Sequence, residues 1–188
     1  MKNNIIEIKK IKNKKKYLDE SFSVSRHYKQ LVNNPQKKIV PYIRERIYIT
    51  IGITVYVIAM ILIFDNGPIF NSFIIGFMTL TLFVYIRNIV LTYKYISTRS
   101  KKESNATLSI NEDKIVFTNN NDHITYECLW NNVKYILISK YCISFIPINN
   151  EVVGFLISIP IDYKNDCFKL FNEYKKIDLI IETEKRKK

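Results

Sequence analysis

The sequence predicts a membrane protein of mixed class: a two-helix transmembrane hairpin, then a small cytoplasmic antiparallel β-barrel or sandwich with a C-terminal helix. Three observations lead to this prediction. Nearly all the uninterrupted apolar length lies in residues 47–86, broken only by Asp65-Asn66-Gly67-Pro68. Basic residues flank both outer ends of this stretch, and none lies in its turn. Beyond residue 105 the hydrophobic residues follow a period of two instead of 3.6, which is typical of strands.

The two apolar runs, residues 47–64 and 69–86, are long enough to cross a bilayer. Each lacks Asp, Glu, Lys and Arg and extends about 27 Å at about 1.5 Å per residue, close to the hydrocarbon thickness. The short turn 65–68 predicts antiparallel helices. Small side chains in both runs would let the two helices approach closely; they are Gly52, Ala59, Ser72 and Gly76. Because neither run contains a charge, we interpret the hairpin as an anchor and not an ion pathway. The alternative is a buried hairpin in a soluble protein.

The distribution of Lys and Arg predicts the orientation of the hairpin. Basic residues outside its two ends are Arg44, Arg46, Arg87, Lys94, Arg99, Lys101 and Lys102, whereas the turn carries only Asp65. By the positive-inside rule both termini are cytoplasmic, in a multi-pass protein of the cell membrane. Helical spacing continues past Arg87 to about Ser97. Residues 87–104 are therefore predicted to form a juxtamembrane helix and a polar joint.

Residues 1–46 form a basic cytoplasmic arm, with 13 Lys and Arg against 4 Asp and Glu. Ile5, Ile8 and Ile11 recur every three residues, which predicts a short amphipathic helix with a basic face. A second helical piece is predicted from Ser21 to Leu31. The candidate contacts to anionic lipid headgroups are Lys9, Lys10, Lys12, Lys14, Lys15 and Lys16. The alternative is a solvated tail that only helps to set the topology.

Residues 105–181 are predicted to form the strand-rich domain, followed by a frayed basic tail at 182–188. The predicted strands are 107–110, 114–118, 123–129, 133–139, 141–148 and 152–159, and a helix is predicted from about 165 to 176. Candidate residues for the core of the barrel are Trp130, Val133, Phe145 and Phe168. Trp130 is alternatively a platform for a ligand, but a sole Trp in a small barrel more often belongs to the core.

The residues that usually carry chemistry do not cluster in this sequence. His27 and His123 are isolated, and Cys128, Cys142 and Cys167 have no metal-binding or disulfide spacing. The glycines form no phosphate-binding loop. We therefore predict no catalytic residue, no metal, no cofactor and no enzymatic activity. Nucleic acid is not an expected partner, because the strongest basic run lies in the arm beside the membrane segment.

The chain resembles the YcxB-like family over roughly residues 45–176. The resemblance depends on Leu108 to Ile115, on Trp130-Asn131-Asn132-Val133, and on Ile159-Pro160 with Phe168 and Leu170 behind it. It implies a PH-like barrel tethered to the membrane, and it implies no catalytic residue. Family members typically carry a basic residue after the Ile-Pro step, where this chain has Ile161.

Two functions are expected from these features. The first is a membrane-anchored module that binds a protein or lipid partner at the inner leaflet. The alternative is self-immunity against a bacteriocin or another toxin, with the toxin as partner. Self-association of the hairpin into a homo-oligomer stays open.

Overall fold

The structure, a computed structural model, describes residues 4–37, 39–63, 68–148 and 156–183. In chain order the helices and long strands are β1 (Asn4–Ile8), α1 (Lys14–Asn33), α2 (Tyr42–Ile63), α3 (Pro68–Lys101), β2 (Ala106–Ile110), β3 (Lys114–Asn119), β4 (Ile124–Leu129), β5 (Val133–Ile138) and β6 (Cys142–Pro147). They are followed by β7 (Ser158–Pro160), α4 (Lys164–Glu173) and β8 (Ile180–Glu182).

The chain divides into two compact units. The strand unit comprises Met1–Ile39 and Ser100–Lys188, and the helix unit comprises Val40–Arg99. The two apolar helices are therefore inserted into the sequence of the strand unit, between α1 and β2. This corrects the prediction of a separate arm at 1–46 and a strand-rich domain confined to 105–181, because β1 and α1 belong to the same unit as the later strands.

Among its described residues, the strand unit contains two four-stranded sheets. The first has the order β1-β2-β3-β4 and is antiparallel throughout, with Ile6 opposite Leu108 and Phe117 opposite Tyr126. The second has the order β7-β6-β5-β8, in which β8 runs parallel to β5 and the other pairs are antiparallel. The antiparallel pairing predicted from the alternating sequence is confirmed. The parallel pairing of β8 with β5 was not predicted.

The main core lies on the inner face of the first sheet and one face of the second. It takes Leu108 and Ile110 from β2, Ile136 from β5, and Phe171 from α4, all fully buried. Trp130, Phe145 and Phe171 meet edge to face, with ring centroids 6.0 to 6.3 Å apart. Such aromatic contacts add stability beyond the burial of their apolar area.

A second core lies on the opposite face of the second sheet, under α1. Val24 and Leu31 of α1 pack with Leu137 of β5 and Ile146 of β6. Successive residues of β5 and β6 therefore face different cores, which explains why β6 is buried at every position.

Strands β2 to β6 agree with the predicted segments to within one residue at each end. The predicted helix at 165–176 is shorter, because α4 ends at Glu173 and Lys175 adopts a left-handed backbone with φ of 52°. Its closing bonds, Lys176 N–H to Phe171 C=O at 2.7 Å and Lys175 N–H to Asn172 C=O at 3.2 Å, form a Schellman motif.

The amphipathic helix predicted from Ile5, Ile8 and Ile11 is wrong. Asn4–Ile8 is a strand in which Ile6 and Ile8 are buried while Ile5 is 56% exposed, an alternation of period two. Pairing with the edge of β2 decides this conformation. The true helix, α1, is longer than the predicted 21–31 segment, since it spans Lys14–Asn33.

Other predictions are changed or lie outside the described residues. The predicted strand 152–159 is described only from residue 156, and β7 begins at Ser158. The turn at 65–67 and the last residues of the basic tail, 184–188, lie outside the described residues. Glu182, predicted to be the first residue of the basic tail, is the last residue of β8.

In the helix unit, α3 is the helix that is long and apolar enough to cross a membrane among the described residues. The candidate span is Ser72–Lys101, and none of its most apolar window is buried. At Gly52 and Gly76 the predicted close approach is not found, because a Cβ added to either glycine would meet no described atom within 4 Å.

Candidate functional site

Arginines and tyrosines cluster where the apolar part of the helix unit begins. Arg46 Nε donates to the hydroxyl of Tyr42 at 3.2 Å, and Arg44 Nε donates to that of Tyr48 at 2.8 Å. Each pair is four residues apart, so both partners lie on the same helical face. The Arg46 guanidinium also lies 5.6 Å from the ring centroid of Tyr85 on α3. The start of α2 therefore contacts the middle of α3.

Four threonines in the apolar stretches of α2 and α3 donate hydrogen bonds within their own helices. Thr50 and Thr54 donate to the carbonyls of Arg46 and Thr50, both at 2.9 Å. Thr79 and Thr81 likewise donate to carbonyls four residues earlier. These hydroxyls are thus committed to backbone acceptors, as is common for Thr in apolar helices.

The loop between β1 and α1 carries three of the six candidate lysines, and hydrogen bonds join it to the 3₁₀ turn Ile161–Tyr163. The backbone N–H groups of Lys9 and Lys10 donate to the Tyr163 hydroxyl at 3.1 and 3.3 Å. That hydroxyl in turn donates to the Lys10 carbonyl, and Lys12 N–H donates to Asp162 Oδ2 at 3.0 Å. These long-range bonds order the backbone of the loop.

Near this loop, contacts link lysines from the start of α1 to the residue after α3 and to the β5–β6 turn. The Lys14 amine donates to the carbonyl of Lys102, the residue directly after α3. The Lys16 and Lys140 amines lie 5.4 and 5.6 Å from the centroid of the same ring, Tyr141. We call Lys12, Lys14, Lys16, Lys102 and Lys140 the basic surface. Lys9 differs from its neighbours because it pairs with Glu7.

A buried carboxyl group holds two parts of the basic surface together. Glu20 of α1 is only 5% exposed, and its Oε1 accepts hydrogen bonds from the Ser139 hydroxyl and, at 3.1 Å, from Tyr141 N–H. The Cys142 thiol also donates to it at 3.7 Å. Because Ser139 and Tyr141 flank Lys140, this network attaches the β5–β6 turn to α1.

The thiol beside Glu20 is not an activated nucleophile. Burial raises the pKa of Cys142 to about 12, and the nearby Glu20 carboxyl acts in the same direction. A thiol with such a pKa stays protonated at neutral pH, whereas reactive cysteines have a lowered pKa. Across the part of the chain that the structure describes, no three His, Cys, Asp or Glu residues are grouped to hold a metal ion.

The four candidate core residues lie in or against the main core. Trp130, Val133 and Phe145 are buried, and Phe168 is half-buried and packs on the cluster. The Trp130 indole N–H donates to the Asn111 carbonyl at 2.8 Å. With its ring enclosed by Phe145 and Phe171, Trp130 has a packing role.

Sequence reasoning missed Glu20, Lys140 and the Asp162-Tyr163 pair. A signal for Glu20 is present in the sequence, since Glu20, Val24 and Leu31 recur at helical spacing and share one face. No local signal relates Lys140 to the first turn of α1, because that proximity depends on α1 packing against β6.

Comparisons with known proteins returned no match: no family model, no curated protein and no solved structure matches this chain. A function for it has to be argued from its own residues.

Proposed function

We propose that this chain is a non-enzymatic integral protein of the cell membrane. In this proposal α2 and α3 form the membrane anchor, both termini are cytoplasmic, and the strand unit binds a protein or lipid partner at the inner leaflet. The proposal is founded on one observation above all: α3 is long enough to cross a membrane, and its apolar window is uncovered.

The exposed side chains of both helices support a lipid environment. Leu62 of α2 is 80% exposed and Phe73 of α3 is 74% exposed, and many further apolar residues of these helices are exposed with them. Soluble proteins rarely expose apolar patches larger than a few hundred Å². In a bilayer the same surface contacts acyl chains, so its exposure costs nothing.

The arginine–tyrosine cluster supports a membrane boundary near Arg46 and Arg87. Tyr and Trp are enriched at headgroup depth, and long basic side chains reach from helix ends toward the water. From residue 47 to the end of α2, and from the start of α3 to residue 86, the helices extend about 26 and 28 Å. Both lengths suit a hydrocarbon core of about 30 Å.

The YcxB-like family and a PH-like domain are part of the same proposal. Two sheets that share one core, with α4 packed on it through Cys167, Leu170 and Phe171, suit a PH-like barrel. Pro160 ends β7 just before the turn that leads into α4, as the resemblance implies.

The orientation is tested by protease treatment of intact spheroplasts and of inverted membrane vesicles that contain the full chain with a tag at each end. We expect both tags to be cleaved only in inverted vesicles, and the chain to resist alkaline carbonate extraction. Release by carbonate would contradict the anchor, and cleavage of either tag in spheroplasts would contradict the orientation.

Self-immunity against a toxin is the second candidate, and it uses the same anchor. What favours it is the pair of apolar helices α2 and α3, which follow each other in the chain across a short turn. Expression of the chain in a toxin-sensitive strain distinguishes the two candidates. Unchanged sensitivity to the toxin of a neighbouring gene would contradict immunity and leave the binding module in place.

A further inference from the structure

We propose that the basic surface is an ordered binding site for the headgroups of anionic phospholipids, and that Lys140 belongs to it. This inference rests on the proposed membrane anchor and names the partner class of the strand unit. It differs from a flexible basic tail, because the lysines come from the β1–α1 loop, the start of α1, the residue after α3 and the β5–β6 turn.

The first argument is that the site is built before any ligand arrives. The Tyr163 hydroxyl and Asp162 carboxylate hold the loop backbone around Lys9 to Lys12. Glu20 accepts hydrogen bonds from both Ser139 and Tyr141, so the β5–β6 turn that carries Lys140 is held against α1. A preformed surface loses less conformational entropy on binding than a disordered tail does.

The second argument concerns the position of the basic surface in the chain. Lys102 directly follows α3, the helix that is long and apolar enough to cross a membrane, and the Lys14 amine donates to the Lys102 carbonyl. The basic surface is therefore joined in the chain directly to the proposed anchor, and basic clusters that follow a membrane helix are typical of sites for anionic lipid.

The third argument concerns the chemistry of the partner. The basic surface consists of lysines, whose hydrated ammonium groups act as point charges on flexible stems. Such groups bind phosphate without the fixed planar geometry that arginine provides. Clusters of lysines next to membrane helices are typical of binding to anionic lipid, at about a fivefold gain in affinity per residue. We therefore commit to lipid headgroups rather than to an acidic protein.

The test compares the full chain in nanodiscs of phosphatidylcholine alone with nanodiscs that also contain phosphatidylglycerol. The rate of amine labelling at each lysine is read by peptide mass spectrometry. We expect Lys12, Lys16 and Lys140 to be labelled about fivefold more slowly in the anionic discs, and the difference to vanish in high salt. Equal rates in the two discs would overturn the proposal.

A triple variant, Lys12→Gln with Lys16→Gln and Lys140→Gln, tests the same surface without relying on labelling. Its matched control is Lys29→Gln with Lys169→Gln and Lys175→Gln, three exposed lysines elsewhere on the strand unit. We expect the test variant to co-purify with less phosphatidylglycerol in mild detergent and the control to retain the wild-type amount. Equal losses in both variants would mean unspecific charge attraction and would overturn the site.

Two further outcomes separate this inference from the proposed function. If the chain inserts into the discs but an acidic peptide, and not the anionic lipid, slows labelling of the basic surface, the headgroup site is wrong and the anchor stands. If the chain does not insert into discs, the proposed anchor is wrong, and the inference that rests on it is overturned too.

Discussion

At the scale of single residues, Glu20 is the side chain that most distinguishes this unit from a simple apolar sandwich. It lies on the otherwise apolar face of α1 and reaches donors on the β5–β6 turn. Beside it, Ser144 and Ser158 exchange a hydrogen bond of 2.7 Å, and the Tyr17 hydroxyl donates to the Ser158 carbonyl at 2.7 Å. Buried polar groups paired in this way favour one arrangement of α1 on the sheet.

Replacement of Glu20 by Ala should lower the free energy of unfolding by about 1 to 3 kcal/mol, since Tyr141 N–H loses its acceptor in a buried place. The Ser139 hydroxyl is less affected, because it also lies 3.0 Å from the Cys142 carbonyl. Thermal unfolding of the purified chain in detergent measures the effect. Glu112→Ala in the exposed β2–β3 turn is the matched control. Glu20→Gln should lose less stability than Glu20→Ala, because its amide oxygen can still accept the hydrogen bond from Tyr141 N–H. An unchanged unfolding midpoint in Glu20→Ala would contradict the role of the network.

At the scale of secondary-structure elements, β1 shows how a partner strand decides conformation. Ile5, Ile8 and Ile11 fit helical spacing, while Ile6 and Ile8 fit the alternation of a strand. In five residues the two patterns are hardly distinguishable. The edge of β2 offers hydrogen-bond partners along the whole of β1, from Asn4 opposite Ile110 to Ile8 opposite Ala106. The segment therefore forms a strand and not a helix.

The strand assignment predicts different effects for two nearly adjacent isoleucines. Ile8→Ala should cost about 2 to 5 kcal/mol, because Ile8 is 2% exposed in the main core. Ile5→Ala, its matched control, should change stability by no more than about 0.5 kcal/mol, since Ile5 faces solvent. Equilibrium unfolding of the two variants gives the comparison. Similar losses for both would instead indicate the helix, in which Ile5 and Ile8 share one face.

Other elements were predictable because their signals are local. The turns around Asn111 and Asp122 separate β2, β3 and β4, and the Asn111 side chain accepts from Asp113 N–H and Lys114 N–H at 3.1 and 2.7 Å. Such bonds are typical of Asn in turns. By contrast β8 has three residues, and no local pattern indicates that it pairs in parallel with β5.

At the scale of the whole molecule, the apolar helices interrupt the sequence of one folded unit instead of preceding it. Residues 1–39 supply β1, which completes the first sheet, and α1, which covers the outer face of the second sheet. Without them Leu137 and Ile146 would be exposed to water, together with the edge of β2. The segment from residue 100 onward is therefore not an independent domain.

Two shortened chains test this organisation. In the first, residues 40–99 are replaced by a long flexible Gly/Ser linker, and we expect a soluble, cooperatively folded protein. In the second, residues 100–188 are expressed alone, and we expect aggregation or a lack of cooperative unfolding, because one face of the second sheet lacks its cover. Circular dichroism and size-exclusion chromatography give the readout. A stable monomer of residues 100–188 would contradict the two-segment unit.

The sequence alone determined the features whose signals are contained in a short window. These are the two long apolar helices, the basic residues at their outer ends, and the alternation that marks β2 to β6. For the candidate site, the sequence located the basic run from Lys9 to Lys16. It did not indicate that Glu20, Lys140 and Asp162-Tyr163 belong to the same site. Tertiary structure alone decided that β1 is a strand, that Glu20 is buried, and that Lys16 and Lys140 both lie against the Tyr141 ring. The physical reason is that these outcomes depend on pairing and packing between residues about 100 or more positions apart, where propensity and periodicity carry no information.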